Sequence, residues 1–393
     1  MSSELPPSSS IVESVTQKLT HSMLTSASKK RKDSEDDPRA PEEEETYRSY
    51  GRHLVRTCGP FERIHVIVEH GVRAALNDDE DSEPAQPRPA LIFQLEKTRL
   101  QCLNKSWEIL TDTIPGFRGE MISLGGNVKL RKKVCKEIQR GLDGARGDDT
   151  NKMKPSAIDW LIKIQDPAVP VASTDIPDRT KKPGRGFDSP LTAEVLCPME
   201  YPATASTYAS IKAGDKQFPI NGKIPAFMYP KGHAYNDLDI EDRLLEGRLP
   251  IAAAKQIYQG PSAALQTPGF HRGRAGNAAR NGQDRLGPRD VAYVCTQLYF
   301  SLSSLGSWSA RDGSFSYRDF YWSIVDLFQG GEGQAILDIF NYHVFGTQTS
   351  NVNTEEAVPS TATSGFDLLA AQRAAKRARL SAATGTGTAS SAS

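Results

Sequence analysis

Residues 288–345 read PRDVAYVCTQLYFSLSSLGSWSARDGSFSYRDFYWSIVDLFQGGEGQAILDIFNYHVF, and their apolar side chains return at helical intervals. Val291, Val294, Leu298 and Leu302 are three or four apart, and Phe320, Ile324 and Phe328 recur every fourth residue with Val325 beside them, the stripe that a helix buries. The spacing predicts two helices joined by a turn over Ser309–Ser316, where Asp312 and Gly313 suit positive φ or a self-bonded bend. A third helix is expected over Glu332–Val344.

Outward from this centre, 393 residues with 38% hydrophobic content make one core with unstructured flanks the natural expectation. The mean hydropathy of −0.49 points the same way. The 48 basic and 48 acidic residues cancel, so any argument for a polyanionic partner has to be local. The five cysteines, Cys58, Cys102, Cys135, Cys197 and Cys295, are scattered and never two residues apart, which argues against a disulfide framework or zinc knuckle. No leader-like start and no long apolar run is present, so no membrane association is expected.

Residues 1–46 are rich in Ser, Pro and charge and are expected to be a disordered tail. Within it, Lys29, Lys30, Arg31 and Lys32 form a run that a nuclear import receptor could grip, and Ser34 before acidic residues resembles a phosphorylation site. A solvated charge run is the plain alternative. From Tyr47 the pattern turns globular, with Gly59-Pro60 separating two helical segments and Phe61, Ile64, Val68 and Val72 on one face of the second. His65 and His70 are about 140 degrees apart around a helix, so they diverge and do not propose a metal site. The acidic, proline-rich 77–89 segment and the proline- and lysine-rich 166–189 segment are expected to be mobile loops, with Lys182 and Arg185 exposed in the second.

Asn127–Leu142 is expected to be an amphipathic helix. Leu130, Val134, Ile138 and Leu142 form its every-fourth stripe, while Lys129, Lys132, Lys133, Lys136 and Arg140 supply a basic face. Such a face can lie on nucleic-acid phosphates; an ordinary lysine-rich solvent face is the competing reading. Ser156–Ile164 reads as a separate short helix, and Asp239–Glu246 and Ile251–Tyr258 as two more. Arg272, Arg274, Arg280 and Arg285, in the Arg272–Arg289 segment among Gly and Asn, are a second candidate phosphate contact, against a polar loop packed over the core. Beyond Gly346 the chain is expected to be a disordered tail over 347–393. Within it, Leu368–Leu380 forms a short amphipathic segment whose Lys376, Arg377 and Arg379 make a second candidate import signal or a docking helix.

Several segments of 250–346 carry a family likeness: Ile257-Tyr258-Gln259-Gly260-Pro261-Ser262-Ala263-Ala264, Gly276-Asn277-Ala278, Ala292-Tyr293-Val294-Cys295-Thr296-Gln297 and Asn341–Phe345. They resemble a numerous domain-of-unknown-function family of mushroom-forming fungi, in which a tryptophan is usual near the position of Tyr342. The resemblance implies no activity, cofactor or catalytic residue.

Asp312-Gly313-Ser314 and Asp319 overlay the second half of a calcium loop, but Trp308 and Ala310 stand where its first oxygen ligands belong. No nucleophile elbow, His-Glu-x-x-His or phosphate-cradling loop is present. The expectation is a mainly α, single irregular helical domain over 47–346, with long loops and disordered N- and C-terminal tails. It requires no cofactor or metal and acts as a nuclear or cytoplasmic, non-enzymatic interaction protein that contacts nucleic acid or chromatin. An enzyme whose site assembles only in three dimensions is the alternative.

Overall fold

The computed structural model describes residues 47–76, 90–164, 172, 175–269, 276–331, 333–346 and 365–385. The expected disorder of 1–46, the loop 77–89, the stretches 347–364 and 386–393, Lys29–Lys32, Arg272 and Arg274 all lie outside the described residues. The described residues are mainly helical and divide into two compact units, Met1–Gly147 and Asp148–Ser393, where the sequence pattern suggested one domain over 47–346.

The first unit contains α1 (Tyr47–Thr57), α2 (Ile64–Leu76), α3 (Ala90–Thr113), α4 (Phe117–Ser123) and the beginning of α5 (Val128–Ile164). Two glycines let α1 and α5 approach at backbone distance: a Cβ on Gly51 would stand 2.0 Å from the Ile138 carbonyl oxygen, and one on Gly141 2.0 Å from that of Arg48. Gly71 leaves room for the Trp107 ring in the same way. Around these contacts Leu54, Ile67, Phe117, Met121, Ile138 and Leu142 are buried, with the Tyr47 hydroxyl donating to Glu120 at 2.7 Å.

α5 corrects the sequence reading. The spacing predicts separate helices over Asn127–Leu142 and Ser156–Ile164, yet 37 residues run as one with Pro155 inside. Its part from Asp148 onward belongs to the second unit.

The second unit is built around α10 (Pro288–Leu302), every residue of which from Arg289 to Leu302 is buried. Before it come α6 (Pro190–Leu196), α7 (Ala205–Ala213), α8 (Arg248–Tyr258) and α9 (Asn277–Arg280). After it, β1 (Arg311–Asp312) and β2 (Phe315–Ser316) pair antiparallel, with Gly313 at φ 56° in the turn. Then follow α11 (Tyr317–Asp326), α12 (Gln334–Phe345) and α13 (Gly365–Gly385). The hairpin returns Phe315 to stack on Tyr299 at 4.0 Å, and Tyr317 and Phe320 meet the same ring at 5.6 and 5.5 Å.

α10 also carries polar bonds. Asp290 in its first turn accepts from the Gly287 amide at 2.8 Å and from the Tyr258 hydroxyl at 2.6 Å, a negative charge where the helix field favours one. Tyr293 donates to Asp149 at 2.9 Å, and Thr150 donates to Gln297 at 2.8 Å.

One further expectation is corrected. Asp239–Glu246 forms turns, because Arg243 and Leu245 adopt φ of 60° and 64° and the Leu245 amide bonds Met228 O at 2.7 Å. Within the segment read as a C-terminal tail, α13 packs on the second unit: Phe366 and Leu369 are buried, and the Arg373 guanidinium bonds the Leu327 carbonyl and Glu241.

Candidate functional site

The basic face on α5 is a single stripe. Lys129, Lys132, Lys133, Lys136 and Arg140 are all exposed, and at about 100 degrees per residue they fall within an arc of about 100 degrees on one side of the helix, opposite buried Val134, Ile138 and Leu142. At a rise of about 1.5 Å per residue, the five charges span about 16 Å. Arg140 is bonded to Glu137, which also accepts from Arg48 at 2.9 Å. Among the described residues no carboxylate stands within ion-pair distance of Lys129, Lys132, Lys133 or Lys136. Lys132, Lys136, Arg140 and Arg63 border an open groove of about 580 Å³, with Glu69 and Asp143 as its carboxylates. No Phe, Tyr or Trp lines it, and the one ring on its wall is the His65 imidazole, which matches contact with a backbone better than stacking of several bases.

The arginine segment is distributed differently. Arg280 and Arg285 are exposed on the second unit, Arg285 with Asp284 3.7 Å away. Arg289 is not part of a loop: it is buried in α10, with its guanidinium 5.1 Å from the Trp322 ring centroid. Lys376, Arg377 and Arg379 are exposed on α13 beyond its buried turn.

The expected exposure of Lys182 and Arg185 is wrong; they are 4% and 0% exposed. The last carbonyls of a helix lack intrahelical donors, and α10 ends inside the core, so cations have to come to it. Arg185 donates to Ser301 O at 2.6 Å and also to the carbonyls of Lys154, Lys181, Asp178 and Arg179 at 2.8–3.0 Å. Lys182 bonds the Phe300 carbonyl, lies 3.4 Å from Ser303 Oγ and stands 3.3 Å over the Phe300 ring centre. Burial, then the neighbouring Arg185 charge, pulls the Lys182 ammonium down to about 7, while Asp312 pulls the other way.

That shift sets a pH dependence. An unfolded lysine keeps its proton up to its ordinary value of 10.5, so above about pH 7 the unfolded state binds more protons than the folded one and stability rises with pH. Below that both states are protonated and the burial penalty is fully felt. The unfolding free energy of the wild type minus that of Lys182→Met should therefore increase between about pH 7 and pH 8.5 and level off below about pH 6 in urea titrations. A difference that stays flat across this window contradicts the assignment.

The second unit also contains a cavity of about 300 Å³ that no sequence pattern disclosed. Its walls come from α6 and the segments 197–203 and 226–235, with Leu249 of α8 and Leu161 of α5. These segments are rich in proline and run as short turns around the space, with a single helical turn at Ala226–Met228. Burial pushes the Cys197 thiol there up to about 11, leaving it neutral.

Among the described residues no group of three His, Cys, Asp or Glu could hold a metal ion. None of the described helices is long and apolar enough to cross a membrane. The five cysteines form no disulfide.

Residues 140–345 match a family of unknown function, DUF6698. The chain belongs to that family. The matched residues take in α10 and the whole wall of the cavity, whereas of the five stripe residues only Arg140 lies within them. No curated protein and no solved structure matches the chain.

Proposed function

We propose that this DUF6698 protein is a non-enzymatic interaction protein that contacts nucleic-acid phosphates through the α5 stripe. The observation that supports the reading is the exposure of Lys129, Lys132, Lys133, Lys136 and Arg140 along one helix face beside an open groove. Phosphate contact needs cations in a row and little else, since most of its free energy comes from counterion release. With no Phe, Tyr or Trp along the groove the contact is expected to be independent of sequence, tolerating DNA and RNA alike. Arg280 and Arg285 belong to the same reading as secondary contacts. The exposed Lys376, Arg377 and Arg379 fit recognition by an import receptor, which makes the nucleus the proposed location. The fungal lineage suggested by the resemblance is part of the proposal as well.

The enzymatic alternative has less support: His233 and Glu194 are the histidine and carboxylate on the cavity wall. The first test compares the full chain with a protein of matched size and charge for binding DNA and RNA duplexes at about 150 mM salt. Tighter binding by this chain supports the reading; equal binding refutes it.

A further inference from the structure

We propose that the cavity in the second unit is a binding site for a small planar aromatic carboxylate. This is independent of phosphate contact at α5. The volume of about 300 Å³ lies at the lower end of small-molecule sites, which sets the scale at one or two fused rings.

The walls favour a flat ring. Leu161, Leu191, Phe227 and Leu249 supply apolar surface, and Tyr229 and His233 lie parallel, 5.1 Å between ring centres with 1° between their planes. This slab is held in place: the Tyr229 hydroxyl donates to Ile240 O at 2.8 Å, and the His233 amide bonds Pro230 O at 3.1 Å across a turn that Gly232 closes at φ 81°. A preformed flat wall lets an aromatic ligand enter without ordering the site, which limits the entropic cost of binding.

The charges on the wall favour an anion. Arg248 and Lys231 line the cavity, with Glu194 as the carboxylate among the lining residues. Arg248, the first residue of α8, is one of the lining residues, and its forked guanidinium is the side chain that suits a carboxylate best. A carboxylate accepts from such a fork in two places, which a neutral or cationic ring cannot do. Glu194 offers an acceptor to a ring N–H, which makes an indole acid a suitable probe.

The test uses three probes with the same ring and different charge, indole-3-acetate, 3-methylindole and tryptamine, titrated calorimetrically into the full chain near neutral pH. Indole-3-acetate should bind best, by about tenfold over 3-methylindole. Arg248→Gln should remove most of that gap and leave 3-methylindole binding nearly unchanged, since the ring still meets the same walls. Ala203→Trp, at an exposed position on the cavity wall, should block all three, with urea unfolding as the check that both variants fold. Absence of binding to the wild type, preference for tryptamine, or undiminished binding to Ala203→Trp would overturn the proposal.

Discussion

Replacing Arg185 with alanine should lower the unfolding free energy of the second unit by about 4 kcal/mol, the largest effect expected from any single side chain here. The guanidinium is fully buried and donates to five backbone carbonyls from α5, α10 and the 178–181 segment. Alanine leaves those acceptors in a space that water enters poorly, and each unsatisfied buried group costs about 1–3 kcal/mol, partly offset by relaxation. Arg185→Lys should recover less than half of the loss, because an ammonium has three donors at one point where the guanidinium spreads five over a plane. Urea unfolding followed by tryptophan fluorescence reads this directly, since Trp160, Trp308 and Trp322 all lie in the second unit. A loss below about 1 kcal/mol would mean that the carbonyls find other donors.

Gly51→Ala should destabilise the first unit by about 3 kcal/mol. The new methyl would stand 2.0 Å from Ile138 O, and its neighbour is backbone, so α1 and α5 have to separate for it to fit. Gly141→Ala should behave alike for the reciprocal reason, 2.0 Å from Arg48 O. Gly119 and Gly147, also helical, are the controls. Nothing lies within 4 Å of a Cβ at either, so alanine there should be neutral or stabilise by up to about 1 kcal/mol. Hydrogen exchange localises the effect: protection should fall over 47–57 and 134–142 in the two damaging variants only. Equal behaviour of all four substitutions would refute the close helix contact.

The sequence disclosed the parts of the fold that repeat. Val134, Ile138 and Leu142 recur every fourth residue and are buried, and the stripe from Val291 to Leu302 is the centre of the second unit. The basic face of α5 was legible for the same reason, since exposure on a helix follows from spacing. What failed were contacts with no local signature. Lys182 and Arg185 are surrounded by proline, glycine and charge, which reads as a solvated loop. The helix end they cap is more than a hundred residues away, at Phe300 and Ser301. Asp239–Glu246 has a helix-like composition, yet tertiary bonds hold it in turns. The cavity left no trace because its walls join segments that individually read as irregular chain.

The phosphate-contact account is tested most directly by the salt dependence of nucleic-acid binding. With about four phosphates neutralised by the stripe, log affinity of the full chain for a DNA duplex should fall with log salt at a slope of about −3.6, a loss of about a hundredfold between 50 and 200 mM. Lys132→Gln, Lys133→Gln and Lys136→Gln together should reduce that slope to about −1 and weaken binding equally for unrelated sequences. A wild-type slope near zero, or a triple variant with the wild-type slope, would contradict the assignment of the α5 stripe as the contact surface.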